Sequence, residues 1–364
     1  MKKLLKYDSC NILISNNLFN KLNYNFSILR NKRILIITNK LIASLYLSKL
    51  KKLLYNTTNY LEHIIIPDGE RYKTMTTVNN IILVLLRKNY DNNTIIISFG
   101  GGMISDISGF VASIYKRGID IIHIPTTLLA QVDACIGNKN SINYKYGKNM
   151  IGTFYKPKLI IIGLNFLNTL SKKEIYSGLS EVIKYGIIMD KNFFFWVKRN
   201  IKNLISLKLK FLYQCVATCC RLKVDIINKD KIDNTSRVLL NFGHTFGHAI
   251  EKYTNYNYWS HGSAIAAGII IATYISLNLN IIKIKHAKLI RSLIIKAKLP
   301  ILGPKNINVN DYINIIKYDK KNYINSINLV LPVSIGTAKI FYNVDKKIII
   351  KSILDSKQDL LSKL

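Results

Sequence analysis

The sequence predicts an α/β N-terminal domain of the Rossmann-like, parallel-sheet kind followed by a mainly α-helical C-terminal domain. Three observations carry that reading. Short isoleucine-rich runs alternate with helix-period segments through the first half of the chain. A glycine triplet stands where the third of those runs gives way to a helix. Beyond about Leu170 the strand-like runs stop, and helical patterning continues to about Leu299.

The runs are "RILIIT", "HIII", "TIIISF", "IDIIHI" and "KLIIIG". Each is short and mostly isoleucine, which suits strands buried on both faces rather than a half-exposed sheet. Between the second and third lies "MTTVNNIILVLLRKNY", whose apolar residues can cover one helix face. Such alternation predicts a doubly wound parallel sheet. "SKKE", Ser171 to Glu174, then reads as a capping box opening a helix, and Pro300 as a natural stop. "INLVLPVSIGTAKIFYNV" predicts a small hairpin before the last helix. The boundary falls at 165–175, so that residues 1–170 form the α/β domain and 171–364 the helical one.

With 364 residues the chain is long enough for two well-buried cores, and a hydrophobic fraction of 49% marks it as folded. The formal charge of +33 invites a nucleic-acid or membrane-surface role. The lysines, however, are spread along the whole chain beside an equally diffuse excess of isoleucine and asparagine, which looks like the coding bias of an AT-rich genome. No basic block interleaved with aromatics appears, so neither nucleic acid nor membrane is expected as a partner. Cys10, Cys135, Cys215, Cys219 and Cys220 form an odd, unevenly spaced set without paired CxxC spacing. They read as core thiols in a reducing cytoplasm. "MKKLLKYDSC" lacks the apolar stretch of a signal peptide, and the most membrane-like segment, 264–282, carries Thr273, Ser276, Asn278 and Asn280 and reads as a buried helix.

Chemistry gathers in four places. "ISFGGGMISDISGF" runs a strand into glycines and a helix N-terminus, where a backbone can approach a pyrophosphate; the spacing is not GxGxxG, and a plain tight turn is the competing reading. "PDGERYK" places Asp68, Glu70 and Lys73 at a strand end, although turn chemistry explains Asp68 and Gly69 equally well. "PTTLLAQVDACIGNKNSINYKYGKNMIG" is dense in hydrogen-bonding groups, with lysines suited to a doubly anionic substrate; a solvated loop is its competing reading. Finally His244, His248 and His261, half of the six histidines, fall within eighteen residues, and "SGLSEVIKYG" places Glu181 on a helix with Lys184 one turn on. Two histidines and a carboxylate describe a catalytic zinc site, but spacing leaves open which two histidines bind.

Together "GGGMISDISGFVASIYKRG", "PTTLLAQVDA", "GKNMIGTFYKP", "SGLSEVIKYGI" and "LLNFGHTFGHAIE" resemble the 3-dehydroquinate synthase family, in its order and spacing from Ile37 to Lys321. The resemblance implies NAD binding by Asn39, Asp68, Gly69, Glu70, Arg71, Tyr72, Lys73, Gly101, Gly102, Asp106, Thr126, Thr127, Lys139, Lys148, Phe166, Leu167, Asn168 and Thr169. It implies Zn²⁺, or Co²⁺, on Glu181, His244 and His261. Substrate contacts fall on Arg117, Asp133, Lys139, Lys148, Asn149, Lys184, Lys223, Arg237, Asn241, His248 and Lys320, which makes His248 a phosphate-region residue rather than a ligand. The implied reaction is that of a carbon–oxygen lyase in the shikimate pathway: transient oxidation of 3-deoxy-D-arabino-heptulosonate 7-phosphate at C5, phosphate elimination, re-reduction, ring opening and aldol closure to 3-dehydroquinate. A cytoplasmic homodimer is expected.

Three positions depart from the family pattern. Asn138 replaces a glycine beside Lys139, Ser263 stands where a glutamate is expected after His261, and Asp233 is a shortened acid before Arg237. The competing readings are a cyclase for another sugar phosphate, a related polyol dehydrogenase, and a non-enzymatic basic binding protein.

Overall fold

Isoleucine runs become strands here because both sides of the sheet are covered. The computed structural model describes residues 2–7, 10–19, 26–58, 60–145, 147–230, 236–317 and 327–363. Its strands are β1 (Lys2–Tyr7), β2 (Cys10–Ser15), β3 (Arg33–Asn39), β4 (Tyr60–Ile66), β5 (Thr94–Gly100), β6 (Asp120–Pro125), β7 (Lys139–Tyr144), β8 (Gly147–Phe154), β9 (Leu159–Gly163), β10 (Leu329–Ser334) and β11 (Thr337–Phe341). The α-helices are α1 (Lys40–Ile42), α2 (Ser48–Leu54), α3 (Met75–Arg87), α4 (Gly102–Ile114), α5 (Lys172–Ile188), α6 (Lys191–Ile205), α7 (Leu209–Lys229), α8 (His244–Tyr253), α9 (His261–Asn278), α10 (Ile284–Lys296), α11 (Val309–Lys317) and α12 (Lys346–Lys357). By contacts the chain divides into two units, Met1–Leu170 with Leu212–Val224, and Ser171–Phe211 with Asp225–Leu364. The middle of α7 thus counts with the first unit.

In the first unit the sheet order is β1-β2-β9-β6-β5-β3-β4. Six strands run parallel, and β1 adds an antiparallel edge through its hairpin with β2. Along β3, Ile34 and Ile36 pack with Ile95, Ile97, Ile122 and Ile124 on one face. Leu35 and Ile37 pack with Ile96, Ile121 and the buried side of α3 and α4 on the other. The period of two therefore splits one apolar run between two cores, which is why no polar alternation is visible in the sequence.

Two features go beyond the sequence reading. The β1–β2 hairpin was not expected as part of the sheet. The segment after β6, open between an anion site and a solvated loop, folds in large part into a second hairpin, β7–β8, whose Asn140 is buried against α4. A Cβ on Gly109 of α4 would fall 1.8 Å from Asn140 Oδ1, so a larger residue there would have to push the Asn140 side chain aside.

Among the described residues the second unit is helical apart from β10–β11, the hairpin expected before α12. Ser171 caps α5 by accepting from the Glu174 amide at 3.3 Å. Among the described residues, α9 alone is long and apolar enough to cross a membrane by length and composition, and 78% of it is buried inside the protein. The five cysteines are all buried thiols.

Candidate active site

The parallel strands deliver their carboxyl ends to one edge of the sheet, where α/β folds place ligands. Asn39 ends β3, Gly101 and Gly102 follow β5, Thr126 and Thr127 follow β6, and the Leu164–Thr169 turn follows β9. Asn39 caps the next helix, its Oδ1 accepting from the Ile42 amide at 2.9 Å, and its amide nitrogen donates to Asp68. Gly101 is the N-cap of α4. A Cβ there would press on Thr127 at 3.1 Å, and one on Gly102 would press on Ala134 at 3.1 Å, so these glycines also let the two turns pack together.

Thr126 is buried, and its Oγ1 has no hydrogen-bond partner among the described residues. A buried hydroxyl left so needs a ligand or water, which fits a nucleotide at this edge. Lys73 is buried and spans two groups, donating to Asp106 on α4 and to Asn149 Oδ1 at 2.5 Å. Asn149 holds a left-handed backbone with φ 56°. Lys148 lies 3.9 Å from Glu70, which also accepts from Asn143 at 3.0 Å. Lys223 donates to Asp133 Oδ1 and to the Asp133 carbonyl, both at 2.7 Å.

Some expected contacts fall elsewhere. Phe166 and Leu167 put their side chains in the core, Phe166 against Phe99 and Tyr46, so only their backbone could face a ligand. Asn168 and Thr169 are exposed. Arg117 follows the C-terminus of α4, at the end of that helix opposite Gly101 and Gly102, about 20 Å away for a helix of this length. Lys320 and Asp233 lie outside the described residues.

In the second unit three helices bring the metal set together. Glycine makes this possible: a Cβ on Gly268 of α9 would fall 2.1 Å from the Gly243 carbonyl and 2.8 Å from the Gly247 amide of α8. One on Gly262 would fall 2.3 Å from Ser177 Cα of α5. At such separations the backbones all but touch, and the side chains beside the glycines converge. Ligand atoms of Glu181, His244 and His261 all lie within 4.8 Å of one another. Glu181 Oε1 stands 3.7 Å from His244 Nε2 and 3.8 Å from His261 Nε2. These gaps are too long for hydrogen bonds and suit donors that share one ion.

Glu181 is fully buried, and its Oε1 has no hydrogen-bond partner among the described residues. Its Oε2 lies against the ammonium of Lys184, which is itself buried and donates to the Leu240 carbonyl at 2.8 Å. Burial, and then the Lys184 charge, push the His244 imidazole well below its usual range, so it stands neutral as a ligand must. His244 Nδ1 is backed by the Phe242 carbonyl at 3.1 Å. His248 Nε2 lies 4.0 Å from Glu251 Oε2, and its side chain is 42% exposed.

Sequence reasoning missed Glu251. It is buried at the end of "NFGHTFGHAIE", 3.3 Å from His261 Nδ1 and 4.0 Å from His248 Nε2. Its place one turn beyond His248 was the available signal. Asp230 was also missed; its carboxylate accepts from the Arg237 amide at 3.0 Å.

Two departures have local explanations. Asn138 adopts φ 62°, a left-handed conformation that asparagine tolerates better than most residues in place of glycine. Ser263 lies at N3 of α9, where its amide donates to the Ser260 cap at 3.3 Å and its hydroxyl meets Ser260 Oγ at 2.8 Å. A glutamate there would complete a capping box with Ser260.

A parallel α/β sheet with a ligand edge, joined in sequence to a helical unit carrying a two-histidine, one-carboxylate cluster, is a fold that this chain shares with solved synthases and with alcohol and glycerol dehydrogenases. The 2-epi-5-epi-valiolone synthase of Streptomyces hygroscopicus, solved with NAD⁺ and Zn²⁺ bound, superimposes with a TM-score of 0.88 at 21% identity, covering 98% of each chain. A 2-deoxy-scyllo-inosose synthase, complexed with carbaglucose-6-phosphate, NAD⁺ and Co²⁺, gives 0.88 at 21% identity over 97% of this chain and 99% of its own. The chain belongs to the 3-dehydroquinate synthase family, whose N-terminal model matches residues 63–177 and whose C-terminal model matches residues 178–322. The 3-dehydroquinate synthase of Blochmanniella pennsylvanica is 45% identical over 346 residues, 95% of this chain and 96% of that one.

Proposed function

We infer that the chain converts 3-deoxy-D-arabino-heptulosonate 7-phosphate to 3-dehydroquinate and phosphate, a step of the shikimate pathway toward chorismate and the aromatic amino acids. Within its family, the observation that carries this reading is the Glu181–His244–His261 cluster, in which Glu181 is fully buried and its Oε1 has no hydrogen-bond partner among the described residues. NAD is the expected nucleotide of the first unit, and Zn²⁺ or Co²⁺ the expected ion of the second. When bound, NAD supplies a hydride acceptor that is regenerated within the cycle, and the ion supplies Lewis acidity to the substrate's hydroxyls.

The chain's own groups bind and orient. Glu181, His244 and His261 hold the ion, and Lys184 offsets the Glu181 charge from within the protein. Lys139, Lys148, Asn149, Lys223, Arg237, Asn241, His248 and Lys320 take the substrate's carboxylate, phosphate and hydroxyls, with Asp133 orienting Lys223. Arg117 belongs to the same set by resemblance alone. Lys73 ties the two ligand sets of the first unit, since it bridges Asp106 and Asn149. The active form is a cytoplasmic homodimer, testable by sedimentation.

The test is turnover of the heptulosonate phosphate with catalytic NAD. Phosphate release without NADH accumulation, abolished by chelator and restored by Zn²⁺ or Co²⁺, is expected. Net NADH release from a polyol would identify a dehydrogenase instead, and salt-sensitive nucleic-acid binding without turnover a binding protein.

A further inference from the structure

The neutral imidazole carries one N–H, and only the other nitrogen can ligate a metal, so the group that accepts that proton selects which nitrogen faces the ion. Both histidines of the cluster turn Nε2 toward Glu181, and in both an oxygen backs Nδ1. For His244 that oxygen is the Phe242 carbonyl at 3.1 Å; for His261 it is Glu251 Oε1 at 3.3 Å. A carboxylate that is 3% exposed is costly to bury, and this one has its other oxygen 4.0 Å from His248 Nε2.

We propose that Glu251 is a positioning residue of the metal centre: it accepts the Nδ1 proton of His261 and fixes the tautomer and ring rotation that leave Nε2 for the ion. The inference rests on the metal-centre reading above. A carboxylate acceptor also raises the electron density of the His261 ring more than a carbonyl does, which strengthens its bond to a divalent ion.

The experiment is a Co²⁺ titration of the purified full chain, followed by visible absorption and by competition with a chelator, on the native protein and on Glu251→Gln and Glu251→Ala. Glutamine keeps the size and an oxygen acceptor but loses the charge. The expected loss of Co²⁺ affinity is roughly tenfold for glutamine and roughly hundredfold for alanine, with an altered cobalt spectrum in the alanine variant. If alanine does not fold, the glutamine variant carries the test. Native-like Co²⁺ affinity in Glu251→Gln, with a native spectrum, would overturn the proposal. Failure of the native chain itself to bind Co²⁺ would instead remove the metal-centre reading.

Discussion

His244 and His248 stand one turn apart on α8 with ring centroids 5.3 Å apart and planes at 90°, yet they face different carboxylates. His244 Nε2 lies 3.7 Å from Glu181 and His248 Nε2 4.0 Å from Glu251. His244→Ala and His261→Ala should therefore lose the ion, whereas His248→Ala should keep it and lose turnover. Metal analysis of the three purified variants checks this. Metal loss in His248→Ala with full occupancy in His261→Ala would reverse the assignment.

Lys184 and Glu181 are both buried, so removing the cation leaves a carboxylate without its partner. In chelator, Lys184→Met should lose about 3–5 kcal/mol of stability, the usual cost of breaking a buried pair from one side. Saturating Zn²⁺ should recover much of that, because the ion takes over neutralisation of Glu181. Urea midpoints with and without metal measure the difference. An equal loss in both conditions would mean that Glu181 is not where the ion binds.

The parallel sheet was legible because its central strands are apolar on both faces, and such runs need no knowledge of their neighbours. The β7–β8 hairpin was not, because "KNSINY" and "GKNMIGTF" are mostly half-exposed and polar, with glycines that weaken any strand pattern. At the metal centre, residue types and local spacing gathered the candidates but could not separate His244 from His248, since both lie on one helical face. That separation comes from the docking of α5 and α9, set by Gly262 and Gly268. The same docking gives Glu251 its contact with His261, which no pattern within α8 announces.

Ser263→Glu should stabilise the protein by about 0.5–1 kcal/mol, because a glutamate at N3 can reach back to the Ser260 amide and also favours the positive end of α9. The change should appear as a small rise in melting temperature with unchanged metal content. A fall in metal content would show that the new carboxylate competes with Glu181 or Glu251 for His261.

Asn138 sits at φ 62° between Gly137 and Lys139. Asn138→Gly should be close to neutral in stability, whereas Asn138→Val should cost about 1–2 kcal/mol from the left-handed backbone alone. Chemical denaturation of the pair separates backbone strain from side-chain contacts. Equal destabilisation by glycine and valine would place the requirement in the asparagine side chain.

His123 offers a pH test away from the ligands. It is buried inside the sheet, where its Nδ1 meets Ser98 Oγ at 2.6 Å, and burial pushes the imidazole from 6.5 down to about 4. At neutral pH both folded and unfolded chains hold it uncharged, and it costs nothing. As pH falls below the unfolded value, the unfolded chain binds the proton first, so stability drops, and the loss levels off once the folded value is passed. Over the full window the gap corresponds to roughly 3 kcal/mol. His123→Asn keeps an acceptor for Ser98 but does not titrate, so its stability should fall less between about pH 6.5 and pH 4 than that of the native chain. The comparison is made as a difference between the two chains at each pH, which cancels the carboxylates and the other histidines. Parallel curves would show that the protonated imidazole finds compensation within the fold.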